Sequence, residues 1–165
     1  FTLYIVLMLM PFQVTMLSSY LVLDRLHMLD TQGAVILPAI FSTFPVFLIY
    51  RGFRGVHPGL LEAGRMDGAG ELRLFVMIGL PLGSSGILSA FVLGFLEYWN
   101  MIEQPLTFLK NKALWPLSLY LPEIGLNQAG FAFAASVVTL IPALFIFLLG
   151  QDYLEQGIAM SGLKE

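Results

Sequence analysis

An all-α, polytopic transmembrane helix bundle is the fold class this sequence predicts, and three observations carry the prediction. Apolar residues make up 58% of the 165-residue chain and charged residues 12%, where soluble domains carry about a quarter charged residues. Mean hydropathy is +0.83. Four charge-free apolar stretches, Phe1–Leu23, Ala34–Tyr50, Leu74–Leu96 and Gln128–Gly150, each approach the roughly 20 residues needed to cross a bilayer as a helix. Lipid-facing barrel strands would alternate in polarity, and these stretches do not. Backbone groups in hydrocarbon must pair within their own segment, which leaves helices.

The first stretch carries Pro11, the second Pro38 and Pro45, the third Pro81 and the fourth Pro142. Each removes a backbone donor, so kinked helices are expected. Gly79, Gly83, Gly86 and Gly94, with Ser84, Ser85, Ser89 and Ala90, make the third stretch rich in small residues that allow close helix packing. Tyr98 and Trp99 close this stretch and Trp115 and Tyr120 follow it, as an interfacial aromatic belt would. No repeat, low-complexity tract or long linker divides the chain, so residues 1–165 are expected to form one membrane domain.

Arg51, Arg54, Arg65 and Arg73 cluster between the second and third stretches, against Arg25 in 24–33 and Lys110 and Lys112 in 100–127. Positive residues favour the cytoplasmic side. The 51–73 loop is therefore expected inside, with 24–33 and 100–127 outside and the carboxy-terminal tail inside. The net charge of −3 includes no basic run, so no nucleic-acid partner is expected. Absence of Cys excludes disulfides, thiolate metal sites and Cys nucleophiles. The chain opens at Phe1 within an apolar run, without Met or a basic n-region, so a removed signal peptide is not expected and a preceding part is.

Within the 51–73 loop, Pro58 suits a first helical position and Gly68 the left-handed residue after a helix end, which predicts a short helix over 58–67. A second helix is expected from Ala69 into the membrane at Leu74. The run Glu62-Ala63-Gly64-Arg65-Met66-Asp67-Gly68, then Ile78-Gly79-Leu80-Pro81, resembles the coupling loop of binding-protein-dependent ABC importer permeases. That family's pattern is Glu-Ala-Ala, three residues, Gly, nine residues, Ile, any residue, Leu-Pro, and only Gly64 departs from it here. The resemblance implies a cytoplasmic knob seated in a groove of a separate ATPase dimer. Glu62 would be its charged anchor, Ala63, Gly64 and Gly68 its small surfaces, Leu60, Leu61 and Met66 its apolar contacts, and Asp67 a support for the turn. Gly in place of Ala at 64 is expected to cost about 1 kcal/mol of helix propensity.

Pro11-Phe12-Gln13-Val14-Thr15, Trp99-Asn100 with Pro105-Leu106, and Gln156 to Lys164 look like the carbohydrate branch of these permeases, of the maltose or glycerol-phosphate kind. What this implies is a sugar importer in a bacterial or archaeal inner membrane, in contact with lipid, with about two more helices before Phe1. A second permease subunit, a periplasmic or lipid-anchored solute-binding protein and ATP used by the partner ATPase complete the expectation. The chain itself is expected to bind no cofactor or metal and to hold no catalytic residue.

Polar groups within membrane helices tend to face the interior or a pathway. Gln13, Thr15, Trp99 and Asn100 are candidates for a sugar path, beside Ser18, Ser19, Ser42, Thr43, Glu97, Asn127 and Gln128. Against this, Ser and Thr often bond their own helix backbone, and Trp99 would serve equally as an interfacial anchor. A permease of the same superfamily for a polyamine, amino acid or phosphate is the nearest alternative. An intramembrane enzyme would need a cluster that His27 and His57, in opposite loops, do not make, and neither a His-Glu-x-x-His nor a phosphate-binding Gly-Lys motif is present. A purely structural anchor would have no use for the Glu62-to-Pro81 spacing.

Overall fold

A computed structural model of the chain describes residues 2–125 and 128–162. All regular structure among the described residues is helical: α1 (Thr2–Met8), α2 (Phe12–Arg25), α3 (Gln32–Ile40), α4 (Thr43–Arg54), α5 (Pro58–Met66), α6 (Glu71–Leu74), α7 (Leu80–Trp99), α8 (Glu103–Phe108), α9 (Leu117–Tyr120) and α10 (Ala129–Gly162), with short 3-10 turns at Lys112–Leu114 and Leu121–Glu123. Among the described residues, three helical stretches, Gln32–Arg54 (with a step at Phe41–Ser42), Glu71–Trp99 and Ala129–Leu154, are long and apolar enough to cross a membrane. None of the most apolar window of the last is buried inside the chain. Such a surface calls for lipid as its solvent.

The first apolar stretch is not one helix. It divides at Leu9–Pro11 into α1 and α2. Pro11 has no N–H to give the carbonyl of Leu7, and its ring crowds that carbonyl, so the chain restarts with Pro11 in extended conformation ahead of α2. Pro45 acts similarly one turn after the step at Phe41–Ser42, where α3 gives way to α4. Ahead of Pro81 the response is different: Phe75–Gly79 forms a π turn, and the Leu80 N–H bonds the Phe75 carbonyl five residues back. The wider turn re-registers the ladder just where proline withdraws a donor.

The chain forms two compact units, Phe1–Thr43 with Phe95–Phe145, and Phe44–Gly94 with Ile146–Glu165. In the first, Leu23, Ala34 and Phe108 are buried together, flanked by Phe12, Tyr20, Met28 and Leu29. Phe12 meets Phe108 edge-on at 5.9 Å. Asp30, at φ 59°, donates its N–H to the Phe108 carbonyl, and its Oδ1 accepts from the N–H groups of Lys110 and Asn111 at 2.9 and 2.7 Å. This clasp fixes the loop after α2 to the loop after α8. Trp115 donates its Nε1–H to the Leu109 carbonyl, so its ring belongs to the same fold-back.

In the second unit, α4 and α7 touch backbone to backbone at Gly52 and Gly86, where a Cβ on either would lie within 2.8 Å of the other's Cα. Small residues thus serve close approach, as the third stretch predicts. Ser89, 4% exposed, donates its hydroxyl to the Tyr153 carbonyl of α10 at 2.9 Å.

Candidate functional site

The loop between Arg54 and Glu71 builds a helical hairpin. His57 caps α5: its Nδ1 accepts the Gly59 N–H at 3.1 Å. Pro58 occupies the first helical position, where its missing donor has no consequence. At the other end, Gly68 takes φ 79°, its N–H bonds the Arg65 carbonyl, and the Ala69 N–H bonds the Gly64 carbonyl. Those paired bonds make a Schellman turn, which needs a left-handed residue at the Gly68 position. The helix and both its ends therefore match expectation, whereas the second arm starts at Glu71 rather than Ala69.

Glu62, Ala63, Met66, Asp67 and Gly68 are exposed, while Leu61 and Gly64 are half-buried. Met66 is 84% exposed. The Asp67 N–H bonds the Ala63 carbonyl at 3.0 Å, closing the last turn of α5.

Three features of the hairpin were not legible from its motif. Gly64 lies so close to the second arm that a Cβ there would sit 2.5 Å from Leu74 Cδ2 and 3.0 Å from Ile78 Cδ1. A methyl at 64 would therefore have to displace the ends of the Leu74 and Ile78 side chains. Arg65 forms a two-pronged ion pair with Glu71, Nε to Oε1 at 2.9 Å and the second nitrogen to Oε2 at 3.1 Å. That hydrogen bond, with the Glu71 charge behind it, holds the Arg65 pKa above its ordinary value. A shallow groove of about 230 Å³ opens beside the interlock, with Asp67 and Arg73 among its lining. Arg65 and Glu71 do stand in the sequence as an oppositely charged pair flanking a glycine turn; nothing in the sequence marks the Gly64 contact.

The residues considered for a solute path do not converge. Gln13 donates its Nε2–H to Glu103 Oε1 at 2.8 Å. Thr15 bonds the Phe12 carbonyl within α2, and Asn100, just past α7, bonds the Leu96 carbonyl in its last turn. Trp99 stacks on Phe95 at 5.3 Å and gives its Nε1–H to the Thr139 carbonyl at 3.2 Å. The indole N–H thus serves a backbone carbonyl inside the chain. Tyr98 likewise bonds the Ala39 carbonyl near the end of α3. Asn127 lies outside the described residues, as do residues 163–165 of the tail. Among the described residues, no three His, Asp or Glu side chains gather as a metal site would require.

Apolar helices of membrane-crossing length, linked by a capped and braced hairpin, define a multi-pass membrane component. The family of binding-protein-dependent transport system inner membrane components matches residues 1–160, and the chain belongs to that family. It is therefore a multi-pass inner-membrane protein. It is 32% identical to the arabinooligosaccharides transport system permease protein of Bacillus subtilis, over 99% of this chain and 59% of the relative. The counterpart from Halalkalibacterium halodurans is 30% identical, over 99% of this chain and 60% of the relative. The sn-glycerol-3-phosphate transport system permease protein of Pectobacterium atrosepticum is 29% identical, over 93% and 57%. The chain thus spans about three fifths of the length of these curated relatives. All three are named as transport permeases, none as an enzyme.

Proposed function

We propose that this chain forms part of the transmembrane permease of an ATP-driven sugar importer and couples it, through α5, to a separate cytoplasmic ATPase dimer. The observation that carries the reading is the hairpin: a capped helix that exposes Glu62, Ala63 and Met66 and is braced against the start of a membrane-crossing helix. Family membership and relatives named for oligosaccharide transport support the substrate class.

In this reading α5 docks helix-in-groove, with Glu62 facing a basic groove and Leu61, Gly64, Asp67 and Gly68 setting the depth and angle of the knob. The 51–73 loop and the carboxy-terminal tail lie in the cytoplasm. ATP is bound and hydrolysed by the partner. A second permease completes the pathway, a periplasmic or lipid-anchored binding protein delivers solute, and access alternates by rocking of helix bundles. Gln13, Thr15, Trp99 and Asn100 remain solute-path candidates only where transport itself frees their polar groups from their present partners.

The test is gentle purification of the whole permease from membranes, wild type against Glu62→Ala, with the co-purifying proteins identified by mass spectrometry. An ATPase recovered with the wild type and lost from the variant is the expected result. No ATPase with the wild type under any mild condition would sink the coupling reading. The glycerol-phosphate relative favours a phosphorylated polyol as second substrate class, and uptake of labelled arabinooligosaccharide against sn-glycerol-3-phosphate separates the two.

A further inference from the structure

A nine-residue helix such as α5 is marginal in water by itself, and its cap and turn do not tie it to the membrane helix. That tie comes from its C-terminal half. Leu74 is only 2% exposed, although Leu72 and Phe75 on either side are 78% and 49% exposed. Its Cδ2 occupies the space a side chain at position 64 would take, and the Ile78 Cδ1 lies against the same bare backbone. Leu74 ends α6 and Ile78 falls inside the π turn. The contact therefore joins α5 to the segment where the ladder of the membrane helix changes register. The exposed Arg65–Glu71 pair spans the same two arms, but surface pairs of this kind contribute little to rigidity. Apolar interlock is the stronger element.

We propose that Leu74 and Ile78, seated on the bare backbone of Gly64, are positioning residues that lock α5 to the π turn so that both move as one body, without themselves touching the partner ATPase. This inference rests on the coupling reading above and deepens it. Movement of a docked α5 would then be delivered to the Phe75–Gly79 turn; a loosened hairpin would absorb it.

The experiment uses the whole permease reconstituted with its ATPase and binding protein. It compares wild type, Leu74→Ala, Ile78→Val and the double variant Gly64→Ala/Leu74→Ala, and reads two quantities: ATPase retained on the permease, and solute moved per ATP hydrolysed. Leu74→Ala is expected to retain the ATPase but to lower solute per ATP by roughly twofold to thirtyfold, the range over which relay residues act. The double variant puts a methyl back into the space that Leu74 vacated and is expected to regain much of the ratio. Ile78→Val, which deletes only the contacting methyl, gives the same answer if Leu74→Ala does not insert. An unchanged ratio in both single variants overturns the proposal. Loss of the ATPase in proportion to transport also overturns it, because Leu74 would then act as a contact. If the wild type holds no ATPase, the coupling reading itself fails and takes this proposal with it; failure of the proposal alone leaves wild-type coupling intact.

Discussion

Gly68 shows how far a single residue can be argued from backbone geometry alone. Its φ of 79° is a conformation that costs an L-residue roughly 1–2 kcal/mol, and two carbonyls of α5 depend on the turn it makes. Gly68→Ala is therefore expected to loosen the end of α5 by about 1 kcal/mol. Faster amide hydrogen exchange at Ala69, whose N–H closes the turn, is the measurement; unchanged protection would mean that other contacts fix the hairpin. Asp30 occupies the same left-handed region at φ 59°, but there the carboxylate compensates by accepting two backbone N–H groups. Asp tolerates this conformation better than most residues. One glycine and one aspartate thus reach similar backbone angles for different reasons: a bare Cα in the hairpin, a side-chain acceptor in the loop clasp.

Among the elements, α4 and α7 meet backbone to backbone at one crossing. With the Cα atoms of Gly52 and Gly86 each 2.7–2.8 Å from where a Cβ on the other would lie, a side chain enters at this crossing only if the backbones shift apart. A Leu at Gly86 would also meet the Leu48 carbonyl, which lies 2.9 Å from the Cβ position. Overpacking commonly costs about 1–3 kcal/mol, and rigid backbone on both sides puts Gly86→Leu at the upper end or beyond. Lower recovery and a lower unfolding temperature in detergent are expected, with Gly86→Ala intermediate. An unchanged unfolding temperature for Gly86→Leu would show that the two helices do not pack here in the membrane. The π turn ahead of α7 follows from a neighbouring constraint. Pro81 deprives the ladder of a donor, and the chain answers by widening the preceding turn instead of breaking. At Pro11 the helix breaks into α1 and α2.

At the scale of the whole molecule, orientation is measurable with single thiols, because residues 1–165 hold no Cys. Met66→Cys in α5 and Lys112→Cys in the 100–127 segment place single thiols at exposed positions. The cluster of Arg51, Arg54, Arg65 and Arg73 predicts that a membrane-impermeant thiol reagent applied outside intact cells labels Lys112→Cys and spares Met66→Cys. In inverted vesicles the pattern should reverse. Labelling of Met66→Cys from outside would overturn the cytoplasmic assignment of the loop, and with it docking to a cytoplasmic ATPase.

The sequence by itself determined that this is an all-α membrane protein, because solvent preference is summed over long apolar stretches and does not depend on which residues meet. It also determined where α5 begins and ends, because Pro58 and Gly68 act through their own backbone conformations. What only the tertiary structure decided depends on residues far apart along the chain coming together. Gly64 reads in sequence as a weakened helix and in space as the seat of Leu74 and Ile78. Trp99 reads as a stacking platform or an interfacial anchor, yet it supplies a hydrogen to a carbonyl of α10 near Pro142. Pro11, Pro45 and Pro81 all announce a defect, but whether a helix breaks, steps or widens there is settled by the neighbours available to satisfy the freed carbonyls, and a linear sequence does not say which those are.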